Sequence, residues 1–159
     1  MSVAFTKESD AEAVAADLPD RPIPAHVNLV TPAGMAQTDA ELAAARMAWD
    51  TARSGDAISA DRSAMARATR DLRYWSARRA SAQLVEPRAA DGIVRFGTCV
   101  GFKRADGRRQ TFTIVGDDEA DPATGSVSHV SPLAMAMTGK SVGDVVGLAG
   151  QDVEIIAVA

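Results

Sequence analysis

Two apolar seams with one break between them constrain this chain most. Met35, Leu42 and Trp49 recur every seven residues, and Thr38, Ala45 and Ala52 fill the second seam position. The register stops at Ser54-Gly55-Asp56 and restarts as Ile58, Met65 and Leu72, with Ala68, Trp75 and Ala82 in the second position. A seven-residue repeat of this kind specifies a helix packed on a partner helix. Glycine just past the last periodic residue is a helix stop. Two seams joined by so short a turn fold back on each other as an antiparallel helical hairpin.

The hairpin has legible ends. Thr31 is placed to cap the first helix, with Pro32 at its first helical position. Glu86-Pro87 is expected to end the second helix. Before the hairpin, Pro19, Pro22, Pro24 and Pro32 exclude helix through the lead-in. Residues 1–30 therefore read as an acidic, flexible tail and an extended lead-in, and residues 31–87 as the hairpin. Most seam positions are alanine, so Trp49 and Trp75 supply much of the apolar area. Each is expected to pack over alanines of the facing helix.

Beyond residue 93 the apolar period changes to two. Val94, Phe96, Val100 and Phe102 share a face with Thr98, which predicts a first strand. Ala105-Asp106-Gly107 predicts a hairpin turn, and "RRQTFTIVG" the return strand. "SVSHV" predicts a short strand, "SPLAMAMTGK" a short helix opened by Ser-Pro and closed by Gly139, and "DVVGLAG" and "DVEIIAVA" two more strands. The fold class is α+β: the helical hairpin, then a small domain over 93–159 with one short helix on an antiparallel sheet.

Composition excludes several functions. No run of 18 apolar residues occurs, so no membrane partner is expected. The start of the chain, with five acids and one lysine in 20 residues, has the wrong sign for a signal or transit peptide. Cys99 is the single cysteine, which excludes an internal disulfide and fits a reducing, cytoplasmic setting. His26 and His129 are not spaced as metal ligands, and no nucleophile–histidine–acid arrangement is visible. The net charge of −4 hides an asymmetry: residues 57–88 hold seven arginines against three acids. Arg62, Arg67, Arg70 and Arg73, with Arg78 and Arg79, form either a solvated face or a basic stripe toward nucleic acid or an acidic protein surface.

One run carries a family likeness. "SVSHVSPLAMAMTGKSVGDVV" resembles the signature of the bacterial Gre transcript-cleavage factors, through Ser128, Ser131, Pro132, Leu133, Ala134, Gly139, Lys140, Gly143 and Asp144. "IVGDDEADPATGSVS", "RFGTCVGF" and "LVTPAGM" are similar to neighbouring family segments. The resemblance implies an FKBP-like C-terminal domain that docks on RNA polymerase at the secondary channel, through the end bearing Ser128, Ser131 and Pro132. It implies a coiled-coil hairpin entering that channel, whose tip acids help hold the polymerase's Mg²⁺, so that a backtracked transcript is cut by the polymerase. The chain would then be a monomeric accessory factor, not an enzyme, with no cofactor of its own. It would meet RNA and DNA only inside the elongation complex.

The tip departs from the family pattern, which reads Gly-Asp, a hydrophobic residue, then Ser-Glu-Asn. Here "ARSGDAISADR" keeps Gly55-Asp56 but follows Ser59 with Ala60, and the next acid, Asp61, arrives one position late. Asp56 and Asp61 are the candidate tip acids, with Asp56 the candidate metal ligand jointly with the polymerase. The arms are shorter than in cleavage-active members by roughly one to three turns, each about 5.4 Å of reach. A homologue that occupies the channel and inhibits, without cleavage, is the alternative. A prolyl isomerase is the remote one, because that activity needs an aromatic-lined pocket and Phe96, Phe102 and Phe112 fall at core strand positions.

Overall fold

The computed structural model describes residues 18–54 and 58–159, the side chains of 58–61 excepted. Helix α1 spans Pro32–Arg53 and helix α2 spans Ile58–Ser81. The seam follows the heptads in part: Met35, Trp49, Ala52, Met65 and Leu72 are only half-buried, Ala82 lies beyond the end of α2, and Trp49 meets the guanidinium of Arg53 on its own helix, 5.3 Å from the ring centroid. Thr38, Leu42 and Ala45 are buried on α1, and Ala68 and Trp75 on α2. Leu42, Ala45 and Trp75 form one apolar cluster, with Leu72 and Tyr74 packed against it. Asp39 pairs with Arg79, so contacts move down α2 as they move up α1. The helices therefore run antiparallel.

Two boundaries differ from the sequence reading. Helix α2 stops at Ser81, short of Pro87. Gln83–Leu84 (β2) instead pairs in parallel with Leu29–Val30 (β1), and the bonds Gln83 N to Asn28 O (2.8 Å) and Val85 N to Val30 O (2.9 Å) extend the ladder. Proline sets only the furthest point a helix can reach; here a strand partner competes for the backbone first. The first strand of the sheet, β3, spans Cys99–Arg104 and does not begin at Val94. Gly97, at φ +85°, closes a turn held by Thr98 N and Oγ1 on the Arg95 carbonyl, and this turn breaks the run. One burial differs too: Arg78, expected either on a solvated face or in a basic stripe toward a partner, and exposed under both readings, is 1 % exposed.

The remaining strands are β4 (Arg109–Val115), β5 (Ser126–Ser128), β6 (Val145–Leu148) and β7 (Gln151–Val158), and helix α3 is Pro132–Met137. The sheet order is β5-β4-β3-β7-β6. Its pairings are antiparallel except β4 with β5, which is parallel. That pairing was not anticipated. The ten residues between the strands hold two single 3-10 turns, Asp117–Glu119 and Pro122–Thr124, and carry the chain back to Thr113, so that β5 pairs with the last three residues of β4. Strand β7 alternates as far as Ile155, with Val153 and Ile155 buried and Asp152 and Glu154 exposed, and its register against β3 then shifts by one residue. Phe102, Ile114, Val127, Val153 and Ile155 meet Ala134 and Met137 of α3 in the core.

The chain forms two compact units. One joins the lead-in up to His26 with Thr38–Ser81; the other joins Val27–Gln37 with Ala82–Ala159. Among the described residues, no helix is long and apolar enough to cross a membrane.

Candidate functional site

The tip acids fall at the edge of what the structure describes. Asp56 lies outside the described residues. Asp61 lies in the first turns of α2, and its side chain is outside the described part. Among the described residues, no group of three or more His, Cys, Asp or Glu side chains could hold a metal ion.

The basic stripe is partly neutralised within its own unit. Arg62 and Arg67 are exposed. Arg70 lies 3.4 Å from Asp71, and Arg73 lies 3.2 Å from Asp20 of the lead-in. Surface pairs of this kind contribute about 0–1 kcal/mol each, so they are easily exchanged for another anion.

The signature end is built as one piece. Ser131 Oγ accepts from Ala134 N at 3.2 Å and caps α3, with Pro132 at the first helical position. Ser128 Oγ donates to Asp117, and the same oxygen accepts from Val130 N at 3.3 Å. His129 sits edge-on to Phe96, with centroids 5.6 Å apart. The three serine and proline positions therefore shape a single turn from β5 into α3. Val130 and Met135 are exposed beside it, Met135 at 66 %. Ser131→Ala is expected to destabilise this unit by about 1 kcal/mol through the lost cap; a denaturant titration that leaves the midpoint unmoved refutes it.

Sequence reasoning missed a second cluster. The Glu119 carboxylate accepts from Thr31 N (3.1 Å), the Thr31 hydroxyl and Gly116 N (3.1 Å). Thr31 Oγ1 in turn accepts from Gly34 N at 3.0 Å. An acid thus lies at the N-terminus of α1, where the helix dipole favours negative charge. Gln37 adds a bond from Nε2 to the Asp118 carbonyl at 3.2 Å. Glycine is needed twice around this carboxylate. A Cβ at Gly34 would stand 2.0 Å from Glu119 Cδ, and one at Gly116 would stand 2.4 Å from the Leu29 carbonyl oxygen. At the start of the sheet, Asp91 pairs with Arg95 and accepts from Ile93 N, and these contacts hold its carboxyl below the usual carboxylate range.

Residues 89–159 match the family described as "Transcription elongation factor, GreA/GreB, C-term". The transcription elongation factor GreB of Neisseria meningitidis serogroup A is 37 % identical over 115 residues, covering 69 % of this chain and 70 % of that protein. The chain belongs to the GreA/GreB family. The transcription elongation factor GreA of Ralstonia nicotianae is 45 % identical over 69 residues, which are 42 % of this chain and 44 % of that protein. Among solved structures, the GreA factor homolog Gfh1 of Thermus thermophilus is 21 % identical, with a TM-score of 0.40 over 84 % of this chain and 99 % of that one. The GreA/GreB match spans both the Ser128–Asp117 turn and the Ser131 cap. Its relatives carry the names of elongation factors, not of enzymes.

Proposed function

We propose that this chain is an accessory factor that binds RNA polymerase at its secondary channel. The unit carrying β3–β7 docks through the turn at Ser128, Ser131 and Pro132, and the hairpin enters the channel. The observation that carries this reading is the coincidence of the GreA/GreB match with a turn whose serines are engaged inside the unit, Ser128 by Asp117 and Ser131 by the backbone of α3, leaving Val130 and Met135 exposed beside them. Arg62, Arg67, Arg70 and Arg73 face the nascent RNA. Asp56 lends a carboxylate to the Mg²⁺ of the polymerase, and the polymerase cuts the backtracked transcript. Magnesium accepts one or two protein carboxylates beside substrate oxygens, so a single donated acid suffices if it reaches.

A second reading rests on the tip sequence. Ser59 stands three residues after Asp56, where a second carboxylate is expected, and the next acid is Asp61. Under this reading the chain occupies the channel and blocks cleavage factors.

A backtracked elongation complex with the cognate polymerase separates the two. The first reading expects the wild-type chain to accelerate RNA cleavage and Asp56→Ala to slow it at least about tenfold, the scale of a lost metal-activating group. Binding without acceleration, together with inhibition of an added cleavage factor, selects the second. No binding refutes both.

A further inference from the structure

Two lead-in residues occupy the arginine face of α2. The Arg21 guanidinium lies 3.6 Å from the Tyr74 ring centroid and 5.4 Å from that of Trp75. Its Nη1 lies 3.7 Å from Asp71, and the neighbouring Asp20 carboxylate lies 3.2 Å from Arg73. At about 100° per residue, Tyr74 falls between Arg70 and Arg67 around α2, at the border of the seam, where one edge of it packs against Trp75 at 5.1 Å between centroids. The segment is stiff, with Pro19 and Pro22 flanking the pair, so little chain entropy is lost in holding it there.

The chemistry of the pair matters more than its strength. A planar cation stacks on an aromatic ring, and an anionic group one residue away sits on an arginine. Single-stranded nucleic acid engages proteins through the same two elements, a base on an aromatic face and a phosphate on a basic side chain. We propose that Asp20-Arg21 is a built-in nucleotide mimic: a strap that covers an RNA-binding face made of Arg70, Arg73 and Tyr74, with the guanidinium in the place of a base and the carboxylate in the place of a phosphate. The inference rests on the reading that the arginine stripe faces RNA. The strap sets a threshold. Weak or stray polyanions do not displace it, while RNA held at high local concentration does.

The test measures binding of a fluorescein-labelled 12-nucleotide single-stranded RNA to the full chain by anisotropy at low salt. The double variant Asp20→Ala/Arg21→Ala removes one charge of each sign, so the net charge is unchanged and general attraction is constant. It is expected to bind about fivefold tighter than wild type, the scale of one exposed cation–aromatic contact plus one ion pair. Adding Arg73→Ala is expected to erase the gain. Asp20→Asn, at an exposed position, is expected to give part of the gain and guards against a folding artefact in the double variant. Measurable binding of equal strength in wild type and double variant overturns the strap and leaves the RNA-facing stripe standing. Binding by none of the chains overturns both. A gain for poly-glutamate with none for RNA overturns the nucleotide mimic in favour of an acidic protein partner.

Discussion

Gly34→Ala is expected to destabilise the wild-type chain by about 1–2 kcal/mol and to stabilise a Glu119→Ala chain by about 0.5–1 kcal/mol. The two signs have separate causes. In wild type, the three atoms nearest to a Cβ at position 34 all belong to the Glu119 side chain, the closest at 2.0 Å. Glu119 can escape only by giving up its bonds to Thr31 and Gly116. A charge-assisted hydrogen bond contributes about 1.5–3 kcal/mol, less when partly exposed, as these are. Against that loss stands the gain of replacing glycine by alanine inside a helix, about 0.8–1 kcal/mol. Once the Glu119 side chain is removed, the three nearest obstacles go with it, and the gain is expected to dominate. Denaturant unfolding of the four chains of this double-mutant cycle, compared at equal slope, reads the coupling directly. A Gly34→Ala cost that is the same in both backgrounds would show that the glycine is there for another reason.

The cycle also marks what sequence reading reaches. The heptads, the alternation in β7 and the Ser131-Pro132 helix start were legible because each is a local pattern with its own period or cap. The bond between Thr31 and Glu119 joins residues 88 apart and has no local pattern. Its one trace was a glycine in the first turn of a helix that otherwise favours alanine. Glycine is a poor helix former, so Gly34 signalled a close approach without naming the partner. Arg78 was misplaced for the converse reason. It is one of seven arginines in residues 57–88, and composition does not single out the one that is 1 % exposed. The parallel pairing of β5 was hidden by its length: three residues are too few to state a direction.

The candidate site was legible to different depths for the same reason. The turn at Ser128, Ser131 and Pro132 is contiguous in sequence, so its residues announced one another. The basic stripe was visible as arginines, but its engagement by Asp20 and Arg21 was not, because the pairing runs from Asp20 to Arg73 across the whole of α1. Net charge over a window counts such residues as available when the fold has already paired them.

Trp75→Ala is expected to unfold the hairpin unit while the β3–β7 unit stays folded. Trp75 is 8 % exposed and anchors the cluster with Leu42 and Ala45. Burying a large aromatic and then deleting it costs about 3–5 kcal/mol, and the few residues packed on it, Leu42, Ala45, Leu72 and Tyr74, leave a gap that they cannot close. A hairpin of two helices with so lean a seam holds no reserve of that size, because most helical stability in proteins comes from packing and not from propensity. The other unit has its own core, in which Phe102 and Ile155 are fully buried, and it does not share Trp75. Hydrogen exchange on the full chain reads the two units separately: protection over 58–81 collapses in the variant and protection over β3, β4 and β7 persists. The functional consequence follows from the proposed division of labour. The variant retains binding to the polymerase through the turn at Ser131, with affinity lowered by the lost hairpin contacts, and loses every effect on backtracked complexes. Phe102→Ala reverses the pattern, removing binding while the seam between α1 and α2 keeps its protection. If Trp75→Ala strips protection from the sheet as fast as from the helices, the two units fold as one cooperative block, and docking and channel entry cannot be separated by mutation.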